Sequence, residues 1–200
     1  MHIRDHFKTI TRHRREVRRL CFKIGLYRQG LTHDLSKYSP QEFLPGCRYY
    51  QGFRSPNDQE RQQTGCSRSW MHHKGRNRHH FEYWIDYPSQ EQRVFVKNGG
   101  TRMGLSDRFQ AVEMPLEYVA EMFCDRVAAC KVYKGDAYTQ KDPLAYQEKM
   151  RPHVFMHPET EKLITQMLTV LSREGEDTAC RFIRYLLKKE KRLGVTRPCS

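Results

Sequence analysis

Two titratable side chains fall on stripes that are otherwise apolar, and nothing else in the chain restricts its packing so tightly. Between Ile3 and Tyr27 the residues Phe7, Ile10, Val17, Leu20, Cys21 and Ile24 recur at helical spacing. This predicts one long amphipathic helix with Gly30 as its stop. His13 lies three residues after Ile10 and four before Val17, so its imidazole belongs to the buried stripe while Arg12, Arg14 and Arg15 point elsewhere. After Pro115, a second helix carries Tyr118, Met122, Asp125, Ala129 and Val132 at spacings of four, three, four and three, which predicts a buried Asp125. An isolated buried carboxylate is costly unless a cation or hydrogen-bond donors compensate it.

The histidines are unevenly distributed. Eight of the ten precede residue 81, and five of those form His33-Asp34 and the pairs His72-His73 and His79-His80. Seven residues separate His73 from His80, and His72 from His79, which returns nearly to one side of a helix. Imidazole and carboxylate together suit Zn, Fe or Mn. Taken singly, a histidine on an apolar stripe is a hydrogen-bonded core residue and a histidine pair is a surface feature. Taken jointly, one metal centre would compensate His13 and Asp125 at once. Residues 69–86 read either as one helix through Gly75, with Trp70, His73, Asn77, His80 and Trp84 on one face, or as two short pieces either side of a bend.

The rest of the chain reads as mostly helical. LTHDLSKY (31–38) is a short helix or helix entry, Ser39-Pro40 starts a turn carrying Glu42, Phe43 and Leu44, and residues 51–64 are a polar loop. RVFVK, Asn98-Gly99-Gly100 and TRMGL predict a β-hairpin excursion over 88–112. A turn-rich stretch from Lys134 to Pro143 precedes two helices, one on Leu163, Ile164, Met167, Leu168 and Leu171 and one on Phe182, Ile183, Leu186 and Leu187 after Gly175. The expectation is an all-α bundle, a single domain over 1–195 with a hairpin insertion at 88–112. No apolar run approaches the roughly 18 residues of a membrane span and no signal-peptide pattern opens the chain, so a soluble, cytoplasmic protein is expected. Seven cysteines without a CxxC pair point to reduced thiols. The formal charge of +13 sits at the ends: residues 1–30 contribute +7, residues 181–200 contribute +6, and the remainder balances. Those ends are either solvated helix faces or, if they meet, a basic surface for nucleic acid.

The order His13, His33-Asp34, the histidine pairs, Asp125 resembles the H…HD…H…HH…D pattern of the HD-domain superfamily of metal-dependent phosphohydrolases. HDLSK (33–37) is similar to its HDxGK variant, with Ser36 in place of glycine and Lys37 at the phosphate-contacting lysine. More closely, THDLSKYSPQEF, HHKGRNRHHFEYW and MPLEYVAEMFCDRVAA resemble an uncharacterised bacterial and phage family of unknown function, over roughly residues 6–180, although the segment between Tyr87 and Met114 is longer here. The resemblance implies an HD-like helical bundle holding one or two divalent transition metals (Fe, Mn or Zn). His13, His33, Asp34 and Asp125 would surround one metal, and Asp34 would bridge to a second held among His72, His73, His79 and His80.

The implied activity is hydrolysis of a small phosphorylated substrate, a nucleotide among them, with Asp34 and Lys37 as catalytic residues. Lys37 and Arg76 would neutralise phosphate oxygens, or else are ordinary surface cations. Asn77 and Glu82 either orient imidazoles from behind or cap and solvate a helix. Tyr83, Trp84 and Tyr87 either stack on a nucleobase or pack in the core, while Cys124 and Cys130 read as small buried residues rather than ligands. Two other functions fit the same sequence: a dinuclear-iron oxygenase on the same fold, and a basic nucleic-acid-binding protein. The sequence is silent on oligomeric state.

Overall fold

The N-terminal apolar stripe forms α1 (Ile3–Ile24), whose buried face consists of His6, Ile10, His13, Val17, Leu20, Cys21 and Ile24. Phe7 falls off that face and is half exposed. The helix stops at Gly25 rather than at Gly30. Gly25 takes a left-handed φ of 90°, and the next amide, Leu26 N–H, donates to the Cys21 carbonyl at 2.8 Å. Gly30 has a different task inside α2 (Tyr27–Thr32), where a Cβ would come 2.9 Å from Cys21 Cβ and block the close approach of α1 and α2. The computed structural model describes residues 1–194; Arg197, Cys199 and the last residue of the expected domain, 195, lie outside the described residues.

A 3-10 turn over Leu35–Tyr38 leads into α3 (Pro40–Arg48), with Pro40 at its start as the sequence predicts. Residues 51–64 are not all loop. Ser55 Oγ accepts from Asn57 N–H and Pro56 opens α4 (Pro56–Thr64), a helix that buries only Glu60 and so has no apolar period to read. The helix α5 (Arg68–Lys74) ends before Gly75, and the chain resumes as a 3-10 turn over Phe81–Trp84. The two-piece reading of 69–86 is therefore the observed one, and Trp70, His73, Asn77, His80 and Trp84 do not share a continuous helix face.

Within 88–112, RVFVK lies in α6 (Gln90–Lys97), not in a hairpin strand. Ser89 and Gln92 form a reciprocal cap there, each side chain bonded to the other's backbone N–H, and this local signal overrides the β-propensity of the valines. The small antiparallel sheet comes instead from the flanks, Ile85–Asp86 (β1) pairing with Gln110–Ala111 (β2). Four more helices follow: α7 (Leu116–Lys134), α8 (Asp142–Met150), α9 (Pro158–Glu174) and α10 (Glu176–Leu193). The fold is all-α with a minor β element. No helix among the described residues is long and apolar enough to cross a membrane.

The chain divides into two compact units, Met1–Asn77 with Cys124–Thr139, and Arg78–Phe123 with Gln140 onward. In the first, α2 packs on α1, and α3 packs on α4 and α5. In the second, α9 packs on α8 and α10, burying Ile164, Met167, Leu168, Leu171 and Ile183 completely. There Thr160 Oγ1 accepts the Met114 N–H at 3.0 Å, fixing the chain just before α7.

Candidate metal centre

The centre belongs to the first unit, and three separate stretches of chain supply it. His13 comes from the buried face of α1. His33 and Asp34 follow α2 in a turn that places Asp34 at φ 52°, the one non-glycine residue among those described with positive φ. Arg14 holds this turn, its Nε donating to the His33 carbonyl at 2.8 Å and its Nη2 to that of Leu31 at 3.1 Å. Asp125 comes from α7. It is half-buried, with 17% of its side chain exposed, rather than buried as its spacing predicts. The reason is that α7 buries Val119, Ala120, Phe123, Cys124, Val127 and Ala128. That wide apolar surface made more than one helical stripe legible, and the stripe through Asp125 lies on its flank.

The four side chains offer ligand atoms that all lie within 4.8 Å of one another. His13 Nε2 is 2.9 Å from Asp125 Oδ1 and 3.7 Å from Asp34 Oδ2; His33 Nε2 is 3.4 Å from each of those oxygens. A cation with ligands at about 2.0–2.2 Å separates neighbouring donor atoms by about 2.8–3.6 Å, and all but the 3.7 Å His13–Asp34 distance fall in that range. Two nitrogens and two carboxylate oxygens are a donor set suited to zinc, iron or manganese. The group fits a divalent metal both by chemistry and by spacing.

Electrostatics favour the ligating forms. Burial is the largest influence on His13 and lowers its pKa, with the Asp125 contact opposing, so the imidazole is neutral at pH 7. For Asp34, burial alone would raise the pKa, but His33, Lys37 and His73 outweigh it and hold the carboxyl well below its usual range. Lys37 Nζ lies 2.6 Å from Asp34 Oδ2. Burial works against the Lys37 charge, yet the Asp34 and Asp125 carboxylates overcome it and keep the ammonium protonated above the ordinary lysine value. Lys37 is thus no plain surface cation.

Behind this group stands a residue whose sequence context shows only the turn begun by Ser39-Pro40. Glu42, buried in the first turn of α3, accepts the Nδ1–H of His72 on one oxygen and that of His73 on the other, each at 2.7 Å. With Nδ1 so committed, His73 directs Nε2 toward Asp34 Oδ1 at 3.3 Å. Burial would raise the Glu42 pKa, but His73 and His72 bring it below the usual carboxylate value. Asn77 donates to the His73 carbonyl at 2.8 Å and to Ser36 Oγ at 3.0 Å, closing the end of α5. The only sequence signal for Glu42 was a carboxylate beside apolar Phe43.

The remaining residues are placed as follows. Arg76 is exposed and donates to the His72 carbonyl at 3.2 Å. His79 and His80 belong to the second unit, where His79 Nδ1 faces Glu121 Oε1 at 3.2 Å and the two rings lie 4.2 Å apart. Glu82 is half-buried in the 3-10 turn of that unit. Trp84 is core, its Nε1 donating to the Arg78 carbonyl at 2.7 Å, while Tyr87 is exposed and stacks on Phe109. Cys124 is buried and Cys130 half-buried, both as free thiols.

These features define an all-α protein with a buried His/Asp group able to hold a metal ion. Over residues 2–170 the chain matches the family described as "Family of unknown function (DUF5662)", and it belongs to that family. No curated protein and no solved structure matches it.

Proposed function

We propose that this protein is an HD-like metal-dependent hydrolase of phosphate esters, with one Fe, Mn or Zn ion held by His13, His33, Asp34 and Asp125. The observation that carries the reading is the convergence of two imidazole nitrogens and two carboxylates at metal-ligand spacing beside a charged lysine. A divalent cation in such a site supplies Lewis-acid activation of water and of a phosphoryl oxygen. The chain's own residues do the rest. Asp34, ionised and fixed by its turn, orients the reacting water. Lys37, held at the same carboxylate, donates to a phosphate oxygen and offsets the charge that builds there. Glu42 keeps His73 in one tautomer against Asp34.

The test is elemental analysis of protein purified without chelators or a metal-affinity tag, together with phosphate release across a panel of phosphoesters that includes nucleotides. Expected are bound metal and phosphate release, both lost in Asp34→Asn and in His13→Ala. Persistent absence of metal under replete conditions overturns the reading. Bound iron with oxygen consumption and no phosphate release replaces it with the oxygenase alternative.

A further inference from the structure

We infer that the first unit carries a groove for the phosphodiester backbone of single-stranded nucleic acid, formed by α1 and the C-terminal part of α7. The groove has a cavity volume of about 590 Å³ and is lined by Lys8, Arg12, Arg15 and Arg19 from α1 and by Lys131 from α7. The α1 cations recur at spacings of four, three and four, so they form a straight row along the face of α1 opposite the one that buries His13. Neighbours in such a row are about 5–6 Å apart. The row runs for about 16 Å.

The distribution of charge within the groove identifies what it accepts. Glu16 takes up two of the five cations: Arg19 lies 2.6 Å from Glu16 Oε1 and Lys131 Nζ 2.7 Å from the same oxygen. Lys8, Arg12 and Arg15 have no carboxylate partner among the described residues. Three unneutralised cations in line match a repeating anion better than one compact phosphate, which would draw them to a point. Phe7, half exposed, lines the same groove and provides an aromatic surface of the kind on which an unpaired base stacks. A charged groove with an adjoining aromatic is the usual equipment for single strands, whereas a flat basic face would suit a membrane.

The inference does not rest on the metal reading, since none of the groove residues belongs to the His/Asp group. The experiment is fluorescence anisotropy of a labelled single-stranded DNA oligonucleotide with the full chain, titrated over a range of salt. The parent is expected to bind with an affinity that falls steeply with salt. The double variant Arg12→Gln/Arg15→Gln, altered only at exposed helix positions, is expected to weaken binding by at least tenfold and to reduce the log–log salt slope by about 1.4, or about 0.7 for each lost phosphate contact. Glu16→Gln is expected to tighten binding, because it removes the one carboxylate that lines the groove. His13→Ala is expected to bind the strand like the parent, which separates failure here from failure of the metal centre. Unchanged affinity and slope in the double variant overturn the inference. So do binding to anionic phosphatidylserine vesicles without binding to the oligonucleotide, and competition by inorganic phosphate as effective as by the strand.

Discussion

Glu60 shows at the level of a single side chain how a buried charge is made tolerable. Its Oε2 accepts the Ser67 hydroxyl at 2.6 Å and the Ser69 hydroxyl at 2.5 Å, while Oε1 accepts the Arg68 N–H at 3.2 Å. Burial alone would raise its pKa, but these donors outweigh burial and bring it below the ordinary 4.5. A carboxyl with a lowered folded pKa stabilises the fold above its unfolded value and loses that stabilisation as pH falls through the folded one. Glu60→Gln is therefore expected to cost about 1–3 kcal/mol at pH 7, and the difference from the parent should vanish on acidification below 4.5. Urea unfolding of both proteins across that range checks it. His6 stands at the other extreme: burial first, then Lys37, lower its pKa to about 4, so it enters the fold neutral.

At the scale of elements, α1 and α3 meet through the ring of His6. A Cβ at Gly46 would come 2.1 Å from His6 Nε2, so α3 needs a glycine at that point for the ring to fit. Gly46→Ala is expected to destabilise by about 1–3 kcal/mol through overpacking. The double variant His6→Ala/Gly46→Ala should recover part of the loss; independent, additive costs in a denaturation cycle would show that the contact is not the cause.

The same elements show what was legible beforehand. The α1 stripe and its buried His13, the Pro40 and Pro115 helix starts, and the pair of C-terminal helices follow from apolar period and proline position. The helix α4 did not, because a polar helix leaves no period, and neither did α6, where a Ser89 cap decides against valine propensity. In the candidate centre, His33 and Asp34 were legible as an adjacent pair and Lys37 only through the resemblance of HDLSK to the HDxGK variant. Glu42 was hidden because its role depends on where α5 lies against α3, a tertiary fact.

For the molecule as a whole, metal binding and folding should be linked. A cation that binds only the folded first unit stabilises it by about 2.7 kcal/mol at a hundredfold excess over its dissociation constant. In a chain of this size that corresponds to a rise in melting temperature of about 5–10 °C. Thermal unfolding of chelator-treated protein, with and without added Mn or Zn, is expected to show this rise, and Asp125→Asn is expected to abolish it. Hydrogen exchange should gain protection within residues 1–77 and 124–139, the stretches that make up the first unit. A rise that persists in Asp125→Asn would assign the ion to other side chains.

The backbone at Asp34, with its φ of 52°, also decides how that position is best interrogated. Alanine there removes the acid but keeps a Cβ in the left-handed bend, at about 1–2 kcal/mol relative to glycine. Glycine adopts the bend freely, so Asp34→Gly erases the acid while sparing the scaffold. Set side by side, the two replacements act as a blank and a damaged blank, and subtracting one from the other isolates what the loop's shape is worth from what its oxygen atoms do.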